Sequence, residues 1–222
     1  MAARRSIVVL AAVRVIRTLE RVSSEVSRAY ARRAAEYTDL FGSMSAVDPA
    51  DRQLISTWAD GLEDPVVDAG CGPGQWTNLL TELGLSARGV DQVPEFIDRA
   101  SRVYPGSRFQ IGDLNRLEFE TGSVGGLLSW YSLIHHEPDA IAIPLAEFHR
   151  VLRPAGALLI GFFEGDEVEQ FDHAVTAAYR WSVPALTEKL SAAGFDVIES
   201  RVRKRSGERP QAAIIAHRAS LP

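Results

Sequence analysis

The chain is short of the residues that hold small secreted folds together. Its 222 residues include a single cysteine, Cys71, so no disulfide can close within it. No Cys/His cluster has the spacing of a zinc site. A chain without disulfides suits a reducing compartment, and a cytoplasmic location is expected. Lysine is almost missing: Lys189 and Lys204 are the only two, and arginine supplies the rest of the basic side chains. The formal net charge is -5, so no broad basic field draws in nucleic acid, and a small-molecule substrate is the better expectation. Long apolar runs are missing too. The run Ile7–Val13 is far short of the ~20 residues that a membrane helix needs, and Arg14, Arg17 and Arg21 follow it. No small-residue cleavage site precedes those arginines, so residues 1–18 read as a flexible N-terminal extension and not as a cleaved leader. No membrane span is expected, and one domain is expected over residues 19–222.

What is present is a regular alternation. Val22, Val26, Tyr30, Ala34 and Tyr37 recur every three or four residues, which predicts a helix from Leu19 to Phe41 with Gly42 as its stop. A second helix is expected over Pro49–Leu62. Short apolar strands and helices then alternate. Strands are expected at Pro65–Ala69, Ala87–Val90, Arg108–Ile111, Val124–Tyr131 and Ala157–Phe163. Helices are expected at Pro73–Leu83, Pro94–Val103 and Asp139–Leu152, with another running from Ser182 to Ala193. Two last strands, Phe195–Arg203 and Gln211–His217, have no room for a crossover between them and must form an antiparallel hairpin. The pattern is that of an α/β, Rossmann-like fold: a seven-stranded, mostly parallel sheet with a reversed last strand, helices on both faces and an N-terminal helical cover.

The first strand runs into Val67-Asp68-Ala69-Gly70-Cys71-Gly72-Pro73-Gly74. Glycines let the chain turn sharply and let a ligand approach the backbone, and the helix start behind them offers free N–H donors. The dinucleotide pattern needs glycines at relative positions one, three and six. Here they fall at one, three and five, and Gln75 takes the sixth. Asp68, two residues before the first glycine, disfavours a pyrophosphate and suits an ammonium end. Asp91 closes the second strand, where a carboxylate can accept from both hydroxyls of a ribose, or alternatively cap the next helix. Asp113 and Leu114 follow the third strand and can serve an exocyclic amine and pack on a ring.

These motifs, together with Arg150-Val151-Leu152-Arg153-Pro154-Ala155-Gly156-Ala157, resemble the class I S-adenosylmethionine (SAM)-dependent methyltransferases. The nearest subgroup is similar to the ubiquinone and menaquinone methylating enzymes. The resemblance implies transfer of a methyl group from SAM to O, N or C of a small molecule, leaving S-adenosylhomocysteine (SAH). It places Asp68, Gly70, Cys71, Gly72 and Gly74 at the methionine portion, Asp91 at the ribose, and Asp113 and Leu114 at adenine, with Gln92 among the cofactor-binding residues. Tyr30 and Tyr37 are expected to close over the cofactor from the first helix, or else to pack on the domain surface. His135 and His136, just after the fourth strand, are the candidates for a base or an orienting partner; capping the following helix, or bonding to loop backbone, is the rival role. Gly125-Gly126 and Ala155 depart from the family pattern. No metal site is expected. Two other functions stay open: a SAM-binding protein without catalysis, and a nucleic-acid methyltransferase. Ser129-Trp130-Tyr131-Ser132 stands where the latter's Asn/Asp-Pro-Pro-Tyr tetrad belongs.

Overall fold

The computed structural model describes residues 25–219. The proposed boundary at Leu19 and the extension 1–18 lie outside the described residues. Helix α1 covers residues 25–41. Helix α2 (Pro49–Ala59) starts at Asp48, whose side chain accepts from the Ala50 N–H while Pro49 fills the first turn. Then come β1 (Val66–Ala69), α3 (Gln75–Glu82), β2 (Ala87–Asp91), α4 (Pro94–Val103), β3 (Arg108–Ile111), β4 (Val124–Trp130), α5 (Ala142–Val151) and β5 (Leu152–Phe163). The chain closes with β6 (Glu169–Phe171), β7 (Ala178–Arg180), α6 (Val183–Ala192), β8 (Phe195–Arg203) and β9 (Gln211–Arg218).

Seven strands form one sheet in the order β3-β2-β1-β4-β5-β9-β8. β9 runs antiparallel to both of its neighbours, as the short link between the last two strands requires. Side-chain alternation divides the core in two. Val67, Leu127, Leu158 and Ile160 face α5 and α6, against Leu145, Phe148, Leu186 and Leu190. Val66, Leu128 and Leu159 face α2 and α3, against Ile55, Trp58, Leu79 and Leu80. β1 is buried on both faces, which is why it reads as an unbroken apolar run apart from Asp68.

Several boundaries differ from the sequence expectation. β5 starts at Leu152, five residues early, because Val124 of β4 pairs with Leu152 before the register shifts to Gly126–Ala157. α5 starts at Ala142, since residues 137–141 form tight turns. The hairpin β6–β7 was not expected: its strands are three residues each and carry no readable alternation. The two family departures differ in their local fit. A Cβ on Gly125 would stand 1.8 Å from the Glu63 carbonyl oxygen, so no larger residue fits. Ala155 holds φ 59, the left-handed region that glycine occupies without cost.

Candidate functional site

The C-terminal ends of β1, β2, β3, β4 and β5 meet on one edge of the sheet, the side on which open α/β sheets bind ligands. The turn after β1 is built on glycine. Gly70, Gly72 and Gly74 have φ of 81, 51 and 92. At Gly70 a Cβ would lie 2.2 Å from the Ser132 Cβ, so the loop after β1 presses against the turn after β4. At Gly74 it would meet Ala100 and Phe109 within 2.8 Å, so this glycine seats the loop on α4 and β3. At Gly72 it would meet nothing within 4 Å, which leaves the outer face of the loop open to a ligand.

Asp91 ties this loop to the end of β2. One carboxylate oxygen accepts from the Gly72 N–H and the other from the Val93 N–H, both at 2.9 Å. The ligand and cap roles are therefore not exclusive: each oxygen keeps a lone pair beyond its backbone bond. Burial pushes its pKa up to about 6, against the backbone N–H groups of Val93, Gly72 and Gln92 that pull it down. Gln92, the next residue, receives the Ser27 hydroxyl on its carbonyl at 3.1 Å, which pins the start of α1 above the end of β2.

Asp68 and Cys71 lie beneath the loop. Asp68 is 1% exposed and accepts from the Thr77 hydroxyl at 2.7 Å, and burial raises its pKa to about 7. In this arrangement its carboxylate braces α3 from below. Cys71 is buried, and burial together with the Asp91 and Asp68 charges holds its thiol protonated, so it is no nucleophile. Asp113 accepts on one oxygen from both the N–H and the side-chain amide of Asn115, at 2.9 and 2.8 Å, and keeps its other oxygen free of those bonds. Leu114 packs against the core edge nearby.

The first helix covers this edge. Tyr30 and Tyr37 stack edge-on at 5.4 Å and both contact Phe96 of α4. Gly42, just past α1, approaches Pro73 of the glycine loop and accepts the Tyr104 hydroxyl at 3.1 Å. Burial, then the Asp91 charge, lifts the Tyr37 hydroxyl to about 12, so both phenols stay neutral.

The two histidines do different things. His135 Nδ1 lies 2.8 Å from the Ala177 carbonyl oxygen, which can only accept, so the proton sits on Nδ1. Nε2 then accepts the Tyr30 hydroxyl at 2.9 Å. Both ring nitrogens are engaged, and His135 links the cover helix to the segment leading into β7. His136 has a buried Nδ1 with no partner, and burial lowers its pKa to about 4, partly opposed by Asp113. It is a neutral, weak base close to the Asp113 loop.

Further residues that the sequence pattern gave no site role gather here. Gln75 has a buried, unpartnered Oε1 at the start of α3, and Asn115 has one beyond β3. Phe163, Phe171 and His173 form a ring cluster at the end of β5 that reaches His135 at 5.4 Å. Their signal was hidden because the β6–β7 hairpin carries no readable pattern. Trp181 is a core residue at 2% exposure. Glu164 faces Lys204 at 3.3 Å, and no group of acids and histidines among the described residues can hold a metal.

These residues fit a nucleoside joined to an amino-acid end. The open face at Gly72, the Asp91 carboxylate beside it, and the orphaned acceptors of Gln75 and Asn115 supply what such a molecule requires.

Comparison with known proteins points the same way. Residues 66–156 match the family described as a methyltransferase domain. The chain is 26% identical to Burkholderia thailandensis 1,6-didemethyltoxoflavin-N1-methyltransferase, solved with 1,6-didemethyltoxoflavin and S-adenosylhomocysteine; the TM-score is 0.74 and the match covers 90% of each chain. It is 25% identical over 155 residues to malonyl-[acyl-carrier protein] O-methyltransferase of Erwinia billingiae, covering 70% of this chain and 58% of that protein. A Streptomyces fradiae protein of transposon TN4556 is 32% identical, with 60% of this chain and 42% of that protein covered. This chain thus spans little more than half of the Erwinia protein and less than half of the Streptomyces one. The [4+2]-cyclase SpnF shares the fold alone, at 16% identity and a TM-score of 0.62, over 77% of this chain and 80% of that one.

Proposed function

We propose, from the premise that this chain belongs to the class I SAM-dependent methyltransferases, that it transfers a methyl group to an O, N or C atom of a small molecule by in-line displacement. The observation that carries the reading is the Asp91 carboxylate, buried beside the open face of Gly72 at the meeting point of β1 and β2.

When bound, SAM supplies an activated methyl on a sulfonium. The protein's own residues then have three tasks. Asp91, the Gly72 backbone and the acceptors of Gln75 and Asn115 hold the cofactor. The cover helix, latched by Tyr30 to His135, excludes water from the sulfonium. The turn after β4 and the rings after β5 align the acceptor, which is the main requirement of a displacement of this kind. A base is a lesser requirement: His135 has both nitrogens committed and His136 stays neutral down to about pH 4. His135 therefore serves as an orienting partner through Tyr30, and alignment carries most of the rate.

A small acceptor is supported by the relative named for 1,6-didemethyltoxoflavin, whereas the one named for malonyl-[acyl-carrier protein] acts on an acyl group carried by a protein. The acidic balance supports the same reading against nucleic acid, and a cytoplasmic site of action accords with the lone cysteine. Among the described residues no helix is long and apolar enough to cross a membrane.

The test is product formation, because the same fold serves a cyclase. The purified chain is incubated with methyl-labelled SAM and a panel of small aromatic and acyl acceptors, and labelled product is sought by mass spectrometry. SAH binding with no product from any acceptor would favour the SAM-binding protein without catalysis. Label in added DNA or RNA would favour the nucleic-acid reading.

A further inference from the structure

Tyr131 is one of two non-glycine residues with positive φ among the described residues, at φ 57. It stands directly after β4, where its N–H still bonds the Gly161 carbonyl at 2.9 Å. The next residue, Ser132, is the one pressed against Gly70 of the glycine loop. The strained turn therefore lies against the cofactor loop, and strain of this kind gathers where a side chain must be aimed. The Tyr131 ring sits between Trp130 at 5.5 Å and Phe163 at 5.0 Å. Its hydroxyl lies in the field of Asp51, Arg203 and Asp48. No hydrogen bond to a described residue engages that hydroxyl.

Tyr131 also lines a groove of about 200 Å³ between α2, the end of β4 and the β8–β9 hairpin. Leu54, Trp130, Val202 and Ala213 give it an apolar floor. Its polar wall is already neutralised. Arg203 spans Asp51, with one nitrogen 3.0 Å from Oδ2, and also bonds Gln211. Arg201, the other cation of the wall, is paired with Glu199 at 2.6 Å. A charged guest would enter with no free counter-charge and would lose its hydration, whereas a flat uncharged one would bury ring area and keep one hydrogen bond.

Resting on the methyltransferase reading, we propose that this groove is the acceptor subsite for the body of an uncharged, planar ring compound, with the Tyr131 hydroxyl as its hydrogen-bond partner. The left-handed turn aims Tyr131 so that its ring stands between groove and Phe163 cluster while its hydroxyl faces the guest. The remote part of the acceptor is gripped here, and the atom to be methylated is presented toward the glycine loop.

The test uses two probes of one size and opposite character, 2-naphthol and 2-naphthoate, titrated at neutral pH into the SAH-saturated chain and into the chain alone. SAH affinity is measured in parallel by calorimetry. The naphthol is expected to bind wild type, and the naphthoate about tenfold or more weaker. Tyr131→Phe should weaken naphthol about 2- to 12-fold, the worth of one hydrogen bond. Ala50→Trp, which fills the rim from an exposed helix position, should weaken it by at least about tenfold while SAH affinity stays within about twofold. Val202→Trp fills the opposite rim and stands in if Ala50→Trp melts early. Naphthol binding that is absent in wild type, or unchanged in the rim variants, overturns the subsite; naphthoate binding as tightly overturns its neutral character. Loss of SAH binding with naphthol binding intact would instead sink the cofactor reading.

Discussion

Replacing Asp91 by Asn separates a ligand-binding carboxylate from a mere turn-capping one, because the two roles predict opposite changes in stability. Asp91 is buried, and its pKa rises from 3.8 to about 6 in the folded chain. A carboxyl group whose folded pKa is raised is a burden above that pKa and is relieved as pH falls. At neutral pH the burden is on the order of 3 kcal/mol, about 1.4 for each tenfold gain in proton affinity on folding. Asn removes the charge and keeps one oxygen for one of the two N–H groups that Asp91 now holds at 2.9 Å. The lost second bond returns about 1–3 kcal/mol of that gain. The Asp91→Asn chain should therefore melt at or a few degrees above wild type without cofactor at neutral pH, and this advantage should fade as pH drops through 6 toward 4. Its SAH affinity should nonetheless fall by about 1.5–3 kcal/mol, or 10- to 150-fold, the worth of hydrogen bonds to a charged acceptor. Wild-type affinity should be flat above about pH 6 and decline below it by at most about tenfold per pH unit, and the variant should lose this dependence. Asp68→Asn is the control, since its carboxyl titrates near 7 beneath the same loop. The assays are circular dichroism melts and calorimetry across pH. An Asp91→Asn chain that melts several degrees early and binds SAH within twofold of wild type would refute the reasoning and leave Asp91 as a cap.

Gly72→Ala should lose about 1–2 kcal/mol of stability, from a left-handed backbone, yet bind SAH at least about tenfold more weakly, because its methyl enters the open ligand face. Gly70→Ala should instead fail to fold well, since its methyl meets Ser132; soluble yield and melting temperature distinguish the two. Tyr30→Phe removes the donor to His135 and should speed hydrogen exchange across residues 26–41 in the SAH complex; identical exchange would discount the latch. The pH–rate profile should show no limb from His136 between about pH 5 and 8, and a limb near 6.5 that vanishes in His136→Ala would restore it as a base. Ala155→Gly should raise the melting temperature by about 2–4 °C, the shift expected of ~1 kcal/mol in a chain of this size.

The repeating alternation of apolar strand and helix determined the layered fold and the antiparallel final pair, because those follow from chain reach and from burying two faces of one sheet. The glycine loop and the acids at Asp68, Asp91 and Asp113 were also legible, since each is fixed by its place at a strand end. Sequence alone could not separate Asp91, which bonds the open Gly72 turn, from Asp68, which braces Thr77 below it. Both are acids beside glycines, and only the depth of burial and the direction of the carboxylate tell them apart. It could not choose between His135 and His136 either, because adjacent residues in a turn point apart by an amount that only the backbone sets. The Tyr30 bond joins residues 105 positions apart, and the Trp130–Tyr131–Phe163 ring stack depends on a left-handed turn at a tyrosine that no local preference favours. Local pattern records which face a residue turns to the core. Partners brought together by the closing of the whole sheet leave no trace in it, and they decide what the edge of this sheet can hold.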